Sequence, residues 1–262
     1  MQIGIGISIS GLARRRGSSP AVLFANSEPG VWLDPSDPVT VFSDTAGTTP
    51  AGVGDPVARI DDKSGNGNHA TQPTLAARPI LREADGLRYL EFDGVDDYLQ
   101  TPSITPGTDK VQVFAGVEKL SNPASRGTVV NFVDNGFRSF SLEVPQPTVT
   151  TTRWLHAGVI ALREIGHVLA VGERVLYTGL SDLAAPYLAL RANGAQVAQN
   201  MSTTGGGDFK DGPLGIGDHV APQGRRLHGR IYSLIARFGP NLDTATIEST
   251  ELYVAARTGV QL

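Results

Sequence analysis

The chain has no cysteine in its 262 residues. Without thiols, neither a disulfide framework nor a thiolate metal site can form, and stability rests on a buried core, which a chain of this length can build. A basic excess is missing too, because 22 Lys and Arg face 26 Asp and Glu for a formal net charge of -4. That balance argues against a nucleic-acid partner, whose phosphates call for a basic stripe. No apolar run is long enough to span a bilayer as a helix. The N-terminal apolar stretch is followed rather than preceded by its arginines, so neither a secretory leader nor a membrane partner is expected. Long helices are disfavoured, since 31 Gly and 17 Pro interrupt the chain repeatedly.

What the chain does have is short β-branched and aromatic runs separated by Gly, Pro, Asn and Asp, the rhythm of an antiparallel sandwich. Expected strands include residues 39–42, 57–60, 87–92, 98–101, 111–117, 127–132, 137–142, 154–162, 166–171, 187–191, 196–198 and 230–238. Asn193-Gly194, flanked by apolar residues, accepts the positive φ angles of a tight hairpin. One helix is expected over residues 243–258: Asp243 or Thr244 can cap it, Ile247, Glu251 and Val254 recur at helical spacing, and Gly259 can stop it. No repeat of 20 to 50 residues is present, which argues against propellers and solenoids.

Residues 1–26 read as an arm and linker preceding a sandwich at 27–262. Ile3, Ile5, Ile7 and Ile9 alternate with Gly or Ser, a period of two and hence a strand, followed by Arg14, Arg15 and Arg16. Such a strand can complete its own sheet or pair with a neighbour's edge. Assembly is the role expected here, with the arginines meeting acidic groups of another chain.

Several segments carry a family resemblance. Asp62-Lys63-Ser64-Gly65-Asn66-Gly67-Asn68-His69-Ala70, the stretch from Leu90 to Leu99 with Asp93-Gly94-Val95-Asp96-Asp97, the hairpin from Leu188 to Val197, Leu214-Gly215-Ile216-Gly217 and the closing run from Leu227 to Leu234 together resemble laminin-G-like concanavalin A domains. The resemblance implies an all-β concanavalin A-like jelly-roll sandwich with one C-terminal helix. A narrower likeness, carried by Val31-Trp32-Leu33-Asp34-Pro35-Ser36-Asp37, the run from Phe42 to Pro50, the stretch from Asp62 to Thr71 and the terminal helix ending Ala256-Arg257-Thr258-Gly259, is to structural proteins of tailed bacteriophages. It implies a non-enzymatic virion component on the particle exterior, a decoration or fibre of head or tail. The partners it implies are other virion proteins, further copies of itself in a homotrimer, and host surface glycan. A carbohydrate-binding receptor-recognition module is the alternative, and a distant glycoside hydrolase a third reading.

Catalytic signals are scarce. A glycosidase needs two carboxylates across a cleft, and the nearest pair, Glu83 and Asp85, sits in an Asp-Gly turn and reads as surface. The five histidines, His69, His156, His167, His219 and His228, show no ligand spacing. Asn66, Asn68 and His69 are candidate glycan contacts. No cofactor is expected beyond calcium, for which Asp62, Asp93, Asp96 and Asp97 are the candidate oxygen ligands. Asp-Gly and Asp-Asp at a hairpin are also ordinary turn chemistry. Trp32 and Trp154 could stack on sugar rings, although a tryptophan on a sandwich strand more often belongs to the core.

Overall fold

A computed structural model describes residues 17–122, 125–132, 138–145, 150–185, 187–219 and 224–262. Two antiparallel sheets face each other. The first runs in the order β15 (Ala195–Asn200), β14 (Tyr187–Ala192), β13 (Arg174–Asp182), β8 (Lys110–Lys119), β17 (His228–Phe238), β6 (Leu87–Asp93) and β5 (Ile80–Ala84), with β1 (Gly30–Leu33) pairing the far end of β17. The second has nine strands in the order β12 (Leu162–Val168), β11 (Thr151–Ala157), β10 (Ser139–Val144), β9 (Gly127–Phe132), β16 (Leu214–Ile216), β7 (Leu99–Gln100), β4 (Ala70–Thr71), β3 (Arg59–Ile60) and β2 (Val41–Phe42). The chain is an all-β jelly-roll-like sandwich with one C-terminal helix, as the sequence predicts.

Period-two patterning fills the space between the sheets. Phe140, Leu142 and Val144 alternate along β10 and point inward to meet Phe132, Trp154 and Phe238 in one cluster. Phe132 and Phe140 stack at 5.5 Å. Burial of each such side chain contributes about 1.5 to 3 kcal/mol.

The outer face of the first sheet carries α1 (Thr244–Thr258). Asp243 caps it by accepting the Thr246 N–H, and Gly259, at φ 76°, ends it in the left-handed region. Val254, Ala255 and Ile247 press on Phe114, Leu176 and Ile235. Leu23 and Phe24, in a 3-10 turn over Pro20–Phe24, join the same cluster. Ser18 hydrogen-bonds Ser249 of the helix. Residues 18–24, within the stretch 1–26 expected as arm and linker, are therefore packed against the helix side of the sandwich. The expected arm residues Ile3, Ile5, Ile7, Ile9, Arg14, Arg15 and Arg16 lie outside the described residues.

Two strand expectations are corrected. Residues 154–162 are not one strand: β11 stops at Ala157, a turn follows, and β12 starts at Leu162. Gly158 marks the break, because a Cβ there would lie 2.3 Å from the Thr204 carbonyl oxygen, while Ile160 in the turn is 68% exposed. Val39 lies in a 3-10 turn, Pro38–Thr40, capped by Asp37, and not in a strand.

Candidate binding face

With one sheet roofed by α1, the outer face of the nine-stranded sheet is the other broad surface of the sandwich. Antiparallel partners point to the same side. The register therefore aligns one row across all nine strands: Phe42, Arg59, Thr71, Gln100, Gly215, Asn131, Ser141, Leu155 and Glu164. Their chain neighbours Ile60, Leu99, Ile216, Val130, Leu142 and Trp154 fill the core, so the row faces outward. Its middle is polar but buried, Asn131 at 4% and Ser141 at 1% exposure with Gly215 between Gln100 and Asn131, so the open part of the face is the β3, β4 and β7 half.

A cleft of about 470 Å3 opens over the β3, β4 and β7 half, lined by Arg59, His69, Thr71, Tyr98, Gln100 and Thr101, with Pro73 and Pro102 beside them. The Arg59 guanidinium is held by Asp61 (2.6 Å) and the Ala46 carbonyl (3.2 Å). His69 Nδ1 lies 3.1 Å from the Asp62 N–H and 3.0 Å from Asp61 Oδ1. The Tyr98 hydroxyl, the Gln100 carboxamide and the Thr71 hydroxyl have no hydrogen-bond partner among the described residues. A half-buried aromatic ring beside unpaired hydrogen-bonding groups can stack on an apolar ring face and bond the hydroxyls around it.

The sequence candidates divide. His69 lines this cleft. Asn66 and Asn68 sit on the preceding loop and brace it, donating to the carbonyls of Glu28 (2.9 Å) and Gly30 (2.8 Å) respectively. Asp62 is 8% exposed and closes the same loop: Oδ1 accepts the Trp32 and Ser64 N–H groups, while Oδ2 accepts the Asn68 N–H and the Ser64 hydroxyl. It stands apart from the other acidic candidates. Asp93, Asp96 and Asp97 do converge, with carboxylate oxygens within 4.8 Å of one another. Burial pushes Asp97 up to about 6, and the charges of Asp93 and Asp96 add to this. The set is hard oxygen, as calcium requires, but calcium takes about six to eight oxygens. Asp93 Oδ1 is occupied by two backbone N–H groups and Asp97 Oδ2 by one, so backbone or water would have to supply several ligands.

Neither tryptophan is available to a sugar. Trp154 is fully buried between the sheets, and Trp32 meets Tyr253 edge-on at 5.6 Å under Lys63. Glu83 and Asp85 flank the β5–β6 turn, with Asp85 and Gly86 at positive φ, and pair with Arg88 and Arg174. The remaining histidines are engaged: His156 with Ser181, His167 with Tyr177, His219 with Glu143 and His228 with Ser121.

One cluster escaped sequence reading. Glu143, fully buried on the outward side of β10, takes two hydrogen bonds from Arg153 (each 3.0 Å) and one from Arg225 (2.9 Å), with His219 at 3.3 Å. Burial would raise its pKa, but these partners hold it at about 2. The alternation Ser139-Phe140-Ser141-Leu142-Glu143-Val144 was the available signal, since it places a carboxylate on the outward face.

No protein-family model matches the chain, and no curated protein resembles it in sequence. Its fold does have likenesses among solved structures. The binding domain of botulinum neurotoxin DC, solved in complex with rat synaptotagmin II, superposes with a TM-score of 0.56 at 10% identity, over 87% of this chain and 52% of that one. A Trypanosoma rangeli sialidase in complex with a difluoro-nononic acid gives 0.57 at 12%, over 87% of this chain and 32% of that one. The botulinum neurotoxin type G receptor binding domain gives 0.55 at 10%, over 74% and 48%. The chain thus spans about half of each toxin domain and a third of the sialidase. At these identities the likeness establishes the sandwich fold.

Proposed function

We propose that this protein is a non-enzymatic recognition module, displayed on the exterior of a bacteriophage particle as a head or tail decoration or fibre component, that offers the nine-stranded face to host surface glycan. The observation that carries the binding part is the Tyr98 cleft, with its unpaired hydroxyl and amide groups on the sheet face opposite the helix. The receptor-binding role named for the type G toxin domain is in keeping with this reading. The particle assignment is drawn only from the motif resemblance of residues 31–37, 42–50, 62–71 and 256–259 to phage structural proteins.

Binding is favoured over turnover on chemical grounds. A carboxylate held at about 2, as Glu143 is, cannot donate a proton at neutral pH. Glu83 and Asp85 are tied to arginines on a hairpin. A glycan array probed with the purified protein is expected to return at least one oligosaccharide class, bound without being cleaved. Tyr98→Ala should abolish that signal while leaving thermal unfolding unchanged. An empty array, or full binding by the Tyr98 variant, would sink the binding reading, and absence of the chain from purified particles would sink the virion one.

A further inference from the structure

The far half of the same face suggests what class of saccharide it takes, an inference that rests on the recognition role proposed above. Arg153 is engaged there through all three guanidinium nitrogens, two on Glu143 and a third on Glu164 at 3.0 Å. Arg225 spends Nη1 on Glu143, and its side chain stays 32% exposed. Arg126 donates Nη1 to the Thr151 carbonyl at 2.8 Å and reaches no carboxylate among the described residues. The Thr128 N–H bonds the Arg225 carbonyl at 2.9 Å, which brings the two arginine-bearing segments together at one end of β9.

Three guanidiniums against Glu143 and Glu164 leave one positive charge uncompensated. Burial lowers the Arg126 pKa, and the charges of Arg153 and Arg225 lower it further. Arg126 is therefore surplus to neutralising the buried carboxylate, which Arg153 and Arg225 already accomplish. Among the described residues, Nε and Nη2 of both Arg126 and Arg225 have no partner, and planar guanidinium donors match carboxylate and sulfate oxygens.

We infer that Arg126 and Arg225 form an anion subsite that selects glycans bearing a carboxylate or sulfate group. The test titrates the full chain with neutral, sialylated and sulfated oligosaccharides built on the same cores. Acidic members should bind at least tenfold tighter than their neutral parents, and the preferred acid tells carboxylate from sulfate. Arg126→Gln should erase that preference while leaving neutral-core affinity and unfolding temperature intact. Arg126→Lys, keeping the charge without the planar fork, should restore part of it. Equal affinity for neutral and acidic members, or a preference that survives Arg126→Gln, overturns the subsite and leaves the recognition role standing. Binding of no member overturns both.

Discussion

Gly179 lies flat against the indole of Trp154. A Cβ built at Gly179 would come within 2.6 Å of the ring, which reaches across from β11 and donates its Nε1–H to the Leu180 carbonyl at 3.2 Å. Alanine in place of a strand glycine is ordinarily stabilising by up to about 1 kcal/mol. Here overpacking dominates, so Gly179→Ala is expected to cost about 1 to 3 kcal/mol. Adding Trp154→Phe, which frees space, should recover part of the loss. Urea midpoints of the three variants check this, and a Gly179→Ala midpoint at or above that of the parent would disprove the contact.

The helix and the hairpin were legible because their determinants are local. Asp243 and Gly259 bound α1 as capping chemistry requires, and Asn193-Gly194 takes φ values of 49° and 81° at the β14–β15 turn. The binding face was legible only in fragments. His69 could be singled out from its loop, but Arg59, Thr71, Gln100, Gly215 and Asn131 share a row only because β3, β4, β7, β16 and β9 are neighbours, an order that no local pattern encodes. The Glu143 cluster was hidden for the same reason, since Arg225 lies 82 positions away. β13 went unread because Gly179 interrupts its apolar run, and the structure explains that glycine by the indole it faces.

Two carboxylates should shape stability against pH in opposite directions. Asp97 titrates at about 6 in the folded protein, above its ordinary 3.8, so the folded state keeps a proton that the unfolded chain has already lost. Its contribution is full below 3.8 and disappears as pH rises through 6, a swing of about 3 kcal/mol at ~1.4 kcal/mol per pKa unit. Glu143, held at about 2 against an ordinary 4.5, contributes stability above 4.5 that is lost as pH falls towards 2. Asp97→Asn keeps an oxygen to accept the Asp93 N–H and should flatten the decline between pH 4 and 6, leaving the acid limb in place. Denaturant midpoints at half-unit pH steps are the measurement. Coincident profiles for parent and variant would rule the Asp97 effect out.

The last expectation concerns residues 1–16. Among the described residues, Ser18 bonds Ser249, and Leu23 and Phe24 are buried beneath α1, which fastens the start of the sandwich. If residues 1–16 serve assembly, removing them should leave the unfolding temperature of the body nearly unchanged. Ile3, Ile5, Ile7 and Ile9 nonetheless carry apolar surface worth roughly 1.5 to 3 kcal/mol each when buried, which an unpaired tail would forgo. Pairing with a neighbouring copy would recover it, and Arg14, Arg15 and Arg16 would steer that contact towards acidic groups. Sedimentation of the full chain is expected to give a trimer, and sedimentation of the truncated chain a monomer that no longer enters particles. If the truncated body unfolds at a markedly lower temperature, the segment is a strand of its own sandwich. If it sediments and assembles like the parent, the segment has no part in assembly.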